Sequence, residues 1–385
     1  MKKSALILIL ICFSIFLISA SCIKSKKKFH SQVNTESANK NKSFNPSNVY
    51  PKNWPWRGVC LESKKTKPSD IAYLASVNVN FVRILIKGNK RAMREKIAPT
   101  NAFLAEIAWA DSILTEVKKY NMTSLIAFNN VVIDPNDEVN DKSKEFWENP
   151  SYQDSAISRL DVIVNHFKQR GDELSAYEVI GEPSEDGILG SIVPDNLEGF
   201  FKRVLSTIRK YDKQRYFLLT PGPWGRPTNY TNFNGFNIND DKLIYGAHMY
   251  LPAPFALQGV RKNPKGLKYP GKINDAFWDK TLIEKRFNAL KEFQKNTNSL
   301  VYIGEFQSAR WSEGGDVWVK DVIDVIEKNG WAWSQYGYQS DTDFWDPYFD
   351  ITNPNDPPSK WKVAYKGKDT AQWQLMLQYY ARNKK

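Results

Sequence analysis

Cysteine is scarce in this sequence: Cys12, Cys22 and Cys60 are the only three in 385 residues. The first two fall in the leader, so Cys60 stands alone in the body and no disulfide framework can form. No Cys/His cluster has zinc-site spacing, so no metal is expected, and no cofactor either. No GxGxxG follows the first strand candidate, which leaves dinucleotide binding without support. No internal repeat is visible. The N-terminal apolar run, Ala5 to Ile18, is too short for a stable membrane span. The net charge of +12 could suggest nucleic acid, but its distribution argues otherwise. The first 52 residues hold nine Lys, no Arg and one acid, Glu36. The remainder is mildly basic and lacks a Lys/Arg stripe interleaved with aromatics, so nucleic acid is not an expected partner. The basic leader would instead favour anionic lipid headgroups.

Aromatic residues are plentiful. They make up 14% of the chain, with thirteen Trp, more than a core needs in a polar sequence. Extra Trp suggests flat stacking surfaces of the kind sugar rings use, although most of the thirteen are expected to be core.

Lys2-Lys3, the apolar run and Ser19-Ala20-Ser21 before Cys22 read as a signal peptide over 1–21. Small residues ending in Cys resemble the lipobox of bacterial lipoproteins, which implies acylation of Cys22. Ser19 stands where that pattern prefers Leu, and ordinary cleavage near Ala20 or an uncleaved anchor is the alternative. Residues 22–49 are Lys, Ser and Asn with few apolar side chains, a composition that cannot bury enough surface to fold. They read as a flexible tether. The expected location is the cell envelope, after secretion across the bacterial inner membrane.

The body, 50–385, alternates short apolar runs with amphipathic segments. The strand candidates are Arg57–Leu61, Asn78–Ile86, Thr123–Phe128, Ala176–Ile180, Tyr216–Thr220, Leu243–Met249, Leu300–Gly304 and Trp331–Tyr336. Their nearly continuous apolar character fits strands buried on both faces. Helical periodicity marks Phe103–Tyr120, Ile157–Arg170, Leu197–Tyr211, Leu282–Gln294, Val317–Lys328 and Ala371–Arg382. The segment between the fifth and sixth strands, around Asn229–Asn239, predicts a degenerate crossover. The alternation predicts an α/β fold, a single (β/α)8 TIM barrel. The long segment 337–366 after the last strand holds Trp345, Tyr348, Phe349 and Trp361, and long loops of this kind are usually functional.

In such a barrel catalytic groups stand at the C-terminal ends of strands. The fourth candidate ends Gly181-Glu182-Pro183, and the seventh ends Gly304-Glu305-Phe306. A carboxylate after an apolar strand is costly to bury unless paired. Two at matching ends suit glycoside hydrolysis, which needs one acid for the leaving oxygen and one carboxylate to attack or direct water. The second strand carries Arg83, and a cation there would keep a neighbouring carboxylate ionised. The sixth ends His248-Met249-Tyr250, whose period-two spacing puts both side chains on one side.

From about Trp54 to Tyr380 the chain resembles glycoside hydrolase family 5, the cellulase and mannanase family. The resemblance implies Glu182 as acid/base and Glu305 as nucleophile, Arg83 beside the nucleophile, His248 supporting the acid/base, and Tyr250 donating its hydroxyl to the nucleophile. It implies Trp333 as the platform under the sugar, with Trp224 and Trp311 as further subsite candidates. Two departures stand out. Gly181 replaces the Asn that in the family bonds the sugar 2-hydroxyl. Asn129-Asn130 stands where the family places a His, and either Asn is a candidate for contacting the substrate. If Gly181 is simply a lost contact, Gly181→Asn should raise kcat; if backbone conformation or space requires glycine, it should lower activity. The implied function is a retaining β-glycosidase acting on a β-linked glucan or mannan as a monomer. The rival is a non-catalytic carbohydrate-binding lipoprotein.

Overall fold

A computed structural model describes residues 50–129, 143–185, 192–260, 263–339, 343–351, 363–366 and 370–383. Cys22, the tether and Asn130 lie outside the described residues. Eight parallel strands close into a barrel in chain order: β1 (Arg57–Glu62), β2 (Phe81–Ile86), β3 (Thr123–Phe128), β4 (Ala176–Val179), β5 (Tyr216–Leu219), β6 (Leu243–Met249), β7 (Leu300–Phe306) and β8 (Ala332–Tyr338). β8 pairs with β1 to close the ring. The apolar runs become these strands because the barrel interior takes one set of alternate side chains and the helical shell takes the other.

The alternation yields two cores. Phe81, Leu85, Leu125, Ala127, Leu218, Ile244 and Tyr302 fill the interior of the barrel. Val82, Ile84, Ile126, Tyr177, Phe217, Val301 and Ile303 face outward and pack under the helices. Trp56, just before β1, stacks on Phe81 with ring centroids 4.3 Å apart and meets Tyr302 edge-on, filling the N-terminal end of the barrel.

Most periodic segments are helices. α1 is Asp70–Ser76, α2 Gly88–Glu95, α3 Pro99–Lys119, α4 Lys144–Glu148, α5 Pro150–Phe167 and α6 Leu197–Tyr211. Both α3 and α5 begin earlier than their periodicity because Pro at the first position is pre-set for helix entry, and Asn149 caps α5. Between β5 and β6 only two short 3-10 turns form, Pro223–Gly225 and Pro227–Tyr230, as the Asn/Gly-rich sequence implies. The helix expected over Leu282–Gln294 is two, α8 (Lys280–Arg286) and α9 (Asn288–Thr297), separated at Phe287; α7 (Ala253–Ala256) precedes them. α10 (Gly315–Lys328) and α11 (Ala371–Tyr380) complete the shell. Asn78–Asn80 is not strand: Asn78 has φ 65°, and the Asn80 side chain accepts from Arg57 N instead.

Candidate active site

Strand parity places Arg83, His248 and Tyr250, and local departures from it place the two carboxylates. On β2, Phe81, Arg83 and Leu85 alternate inward, so Arg83 stands inside the barrel, fully buried. On β6, Ile244 is interior, and the same phase brings His248 inward with Tyr250 above it. β7 departs from parity. Ala247 pairs with Ile303 but His248 pairs with Glu305, so Gly304 is an extra residue, a β-bulge. Strict alternation would turn Glu305 outward; the bulge keeps it facing the site. Only glycine fits there, since a Cβ on Gly304 would lie 2.9 Å from His248 Nε2. On β4 the chain turns at Ile180, whose φ of 55° is one that β-branched residues rarely adopt. The turn carries Glu182 to the mouth.

The charges form one connected cluster. Arg83 donates through Nη1 to Glu305 Oε1 at 2.6 Å and through Nε to Glu178 Oε2 at 2.6 Å. Tyr250 OH donates to the other oxygen of Glu305 at 3.1 Å. His248 Nδ1 shares a hydrogen bond with Glu182 Oε1 at 2.8 Å. Burial opposes the charge on Arg83, but Glu178 and Glu305 outweigh it and raise its pKa. Burial likewise lowers His248, yet the charge of Glu305 and the bond to Glu182 outweigh it, for a net upward shift. One carboxylate oxygen of Glu182, one nitrogen of His248 and one carboxylate oxygen of Glu305 all lie within 4.8 Å of one another. Below them, burial pushes the Cys60 thiol up to about 12, which makes it inert.

A second polar group flanks the pair. Tyr336 OH donates to Glu62 Oε1 at 2.5 Å, and Lys87 Nζ donates to the same oxygen at 2.5 Å. Burial would raise the Glu62 carboxyl, but Lys87 outweighs it and holds it down to about 2. Trp345, from the segment after β8, stacks on Tyr250 at 4.7 Å and meets Tyr336 at right angles at 5.7 Å.

Two sequence expectations, Trp333 and Gly181, need correction. Trp333 is fully buried and faces outward: it packs on Phe306 and Tyr380, and its Nε1 donates to Glu327. It cannot serve as a platform, because on β8 the inward positions are Ala332, Ser334 and Tyr336. Gly181 offers no empty space for a substrate group. A Cβ there would lie 2.1 Å from Glu178 Oε1 and 3.2 Å from Arg83 Nη2, so crowding requires glycine and the protein's own carboxylate fills the gap. Asn129 accepts a hydrogen bond from Gly181 N at 3.0 Å, which gives its side-chain oxygen a scaffolding contact. Trp224 sits at φ 60° in the turn after β5, partly exposed and adjoining Gly225, whose backbone packs against His248. Trp311 is flanked by Phe344 and Lys265, with Nε1 tied to Gln258 O. Sequence reasoning missed Glu178, Glu62, Lys87 and Tyr336. The signal for Glu178 was a lone charge inside an apolar strand, two residues after inward-facing Ala176.

The geometry agrees with comparisons to known proteins. The profile described as cellulase, glycosyl hydrolase family 5, matches residues 40–341. No curated protein matches the sequence. Among solved structures, an endoglucanase superposes with a TM-score of 0.63 at 15% identity, covering 84% of this chain and 97% of that one. Thermotoga maritima Cel5A in complex with mannotriose gives 0.61 at 18% identity, covering 77% and 93%. The cellulose synthase subunit Z of Clostridioides difficile gives 0.60 at 16%, covering 86% and 95%. At these identities the likenesses show the shared barrel. The profile spans most of the chain, and the chain therefore belongs to the cellulase family, glycosyl hydrolase family 5.

Proposed function

We propose that the protein is a retaining β-glycosidase that cleaves a β-linked glucan or mannan, polymeric or oligomeric, by double displacement. The observation that carries this reading is the close approach of Glu182 and Glu305, with one carboxylate oxygen of each within 4.8 Å of the other. Retaining pairs stand about 5–5.5 Å apart, whereas inverting pairs need about 6.5–9.5 Å to admit a water between. Glu305 attacks the anomeric carbon as Glu182 protonates the departing glycosidic oxygen. Glu182 then takes a proton from water, the water oxygen bonds to the anomeric carbon, and Glu305 leaves. Arg83 and Tyr250 hold Glu305 aimed through a hydrogen bond to each of its oxygens, and His248 orients Glu182. Tyr336, Trp224 and Trp311 are substrate-contact candidates, and the Thermotoga maritima complex with mannotriose makes mannan as reasonable a substrate as glucan. The mature chain is monomeric, acylated at Cys22 and held to the cell envelope by its Lys-rich tether.

Proton NMR of the first-formed product tests the chemistry. The β-anomer should appear first; an α-anomer would unseat Glu305 as nucleophile. Oligosaccharide binding without hydrolysis of any β-glucan or mannan would favour a non-catalytic binding protein. Cys22→Ala tests the anchor: it should release the protein from the membrane fraction or block maturation, and an unmodified mature N-terminus would refute acylation.

A further inference from the structure

Strand parity continues above the interior core. On β1 the inward phase of Cys60 reaches Glu62, the last residue of the strand. On β2 the inward phase of Phe81 and Leu85 reaches Lys87, the first residue beyond the strand. Tyr336 joins them from β8. They meet at the C-terminal end of the barrel, where binding and catalytic groups collect. The group is continuous with the active site. Tyr336 meets Trp345 edge-on, and Trp345 stacks on Tyr250, which donates to Glu305. Lys87 and Tyr336 both feel the charge of Glu305.

Lys87 is held in a fixed pose. Its Nζ donates to Glu62 Oε1 at 2.5 Å and to Tyr336 OH at 3.3 Å, and lies 5.6 Å from the centre of the Tyr336 ring. Its backbone N–H donates to Glu106 Oε2 at 3.3 Å. Burial would lower the Lys87 pKa, but Glu62 outweighs it and keeps the ammonium charged. An ammonium carries three N–H donors. Two have partners here, and the third has none among the described residues. The side chain is 11% exposed, so that donor is not sealed in the core. A buried ion pair contributes little stability over an apolar pair of the same size, so folding alone gives no reason for charge at this spot.

We propose that Lys87 is a specificity-determining residue: its remaining N–H donates to one hydroxyl oxygen of a sugar on the retained side of the scissile bond, beside the Tyr336 ring. The inference rests on the hydrolase reading above. The side follows from the order of the ring. Glu182, after β4, gives its proton to the departing oxygen. In a closed ring of eight strands β8 lies opposite β4, with β1 and β2 next to it. The leaving sugars therefore lie toward β4 and the retained sugars toward Lys87. A sugar offers an apolar CH face and a rim of hydroxyls, and Tyr336 with Lys87 offers one partner for each. Binding sites fix orientation through a few precisely placed polar groups of this kind.

The test uses the full-length protein with 4-nitrophenyl β-cellobiosides and β-mannobiosides, each deoxygenated at one hydroxyl in turn. The variant Glu62→Gln/Lys87→Met removes both charges and keeps the size of both side chains. On the parent substrate its kcat/KM should fall by about ten- to a hundredfold, the loss of one charge-assisted hydrogen bond. One deoxy analogue, lacking the hydroxyl that Lys87 holds, should be turned over equally by variant and wild type, and the others should show the parent's loss. Comparing the two enzymes on each analogue cancels the change in the analogue's own reactivity. The pattern should persist when a sugar replaces nitrophenol as leaving group. Lys87→Arg keeps the ion pair with Glu62, and so folds where the neutral pair does not; its planar fork replaces the ammonium, and it should single out the same analogue. Calorimetric binding of the parent and deoxy disaccharides makes the comparison without turnover. Equal loss on every analogue would make Lys87 a general electrostatic or packing support, and loss confined to sugar leaving groups would put it on the leaving side; either result overturns the inference and leaves the hydrolase reading intact. A single spared analogue in binding, with no hydrolysis of any substrate, would support the inference and defeat the hydrolase reading.

Discussion

Replacing Gly181 by alanine adds one carbon atom where the structure has none to spare. The new Cβ would sit 2.1 Å from Glu178 Oε1, well inside van der Waals contact. A glutamate tip on the surface could swing aside at little cost. This one is 1% exposed, and its other oxygen is bonded to Arg83 Nε at 2.6 Å. Rotating the carboxylate away from the methyl pulls that oxygen off the guanidinium. Breaking one side of a buried ion pair costs about 3–5 kcal/mol. The other escape is to shift the backbone at 180–182, where Gly181 N is tied to Asn129 Oδ1 at 3.0 Å. That moves Glu182 away from His248, and a displacement of about 1 Å can cost about a hundredfold in rate. Gly181→Ala is therefore expected to lose either several kcal/mol of stability, read as a fall in Tm, or about two decades of kcat with KM little changed. Gly181→Asn should do the same or worse. In a Glu178→Ala background the obstruction is gone, so adding Gly181→Ala should cost almost nothing further, a strong positive coupling in the double-mutant cycle. If Gly181→Ala keeps wild-type Tm and kcat, or if Gly181→Asn raises kcat, the crowding argument fails and the lost-contact account returns.

Other consequences are as direct. Glu305→Ala should abolish turnover on every substrate, whereas Glu182→Ala should retain most activity on aryl glycosides with good leaving groups and be rescued by azide; azide rescue of Glu305→Ala to a β-azide would exchange the roles. Trp333→Ala should lower stability by about 3–5 kcal/mol, as loss of a buried Trp does, and leave KM unchanged. Tyr336→Ala should raise KM; the opposite pattern in this pair would restore Trp333 as the platform. Asp346 is fully buried. Burial pushes its carboxyl up to about 6, against the pull of Arg310 and Lys65, while Tyr348 N donates to Oδ1. A folded-state pKa above the unfolded one means stability that is present below about pH 4 and lost as pH rises through about 6. Asp346→Asn keeps the acceptor without the charge, so in chemical denaturation the variant should gain up to about 3 kcal/mol over wild type at pH 8 and nothing at pH 4; a gain independent of pH would refute the assignment.

The barrel was legible because each strand is a short apolar run whose ends are marked by polarity. Glu182, His248, Tyr250 and Glu305 were legible as candidates for the same reason, each a polar group at or near the end of such a run, whereas Arg83 was legible as a lone charge in the middle of one. Trp333 was misplaced because a run apolar on both faces does not reveal its own parity, so either Trp333 or Tyr336 could have faced the mouth. The structure assigns Trp333 to the outer core and Tyr336 to the inner one. Helix α2 went unread because GNKRAMRE has few apolar residues from which to read a period; it buries only Gly88 and Ala92. The antiparallel hairpin of Gly271–Ile273 and Ala276–Trp278 has strands of three residues each, too short for alternation to register. The clash at Gly181 depends on a side chain three positions earlier folding back, which spacing alone does not encode.

The bulge at Gly304 also bears on any attempt to regularise this barrel. Deleting Gly304 would restore ordinary pairing between β6 and β7 and, by parity, would still leave the glutamate pointing inward. Its partner on β6 would still be His248, as it is with the bulge. What would go is the local bend by which a bulge re-aims a side chain, and with it the aim of the carboxylate between Arg83 and Tyr250 OH. The carbonyl of Gly304, which accepts from Ser334 Oγ at 2.7 Å, would go with it. An idealised β7 would satisfy every rule of strand geometry and lose the bend that aims its reactive group.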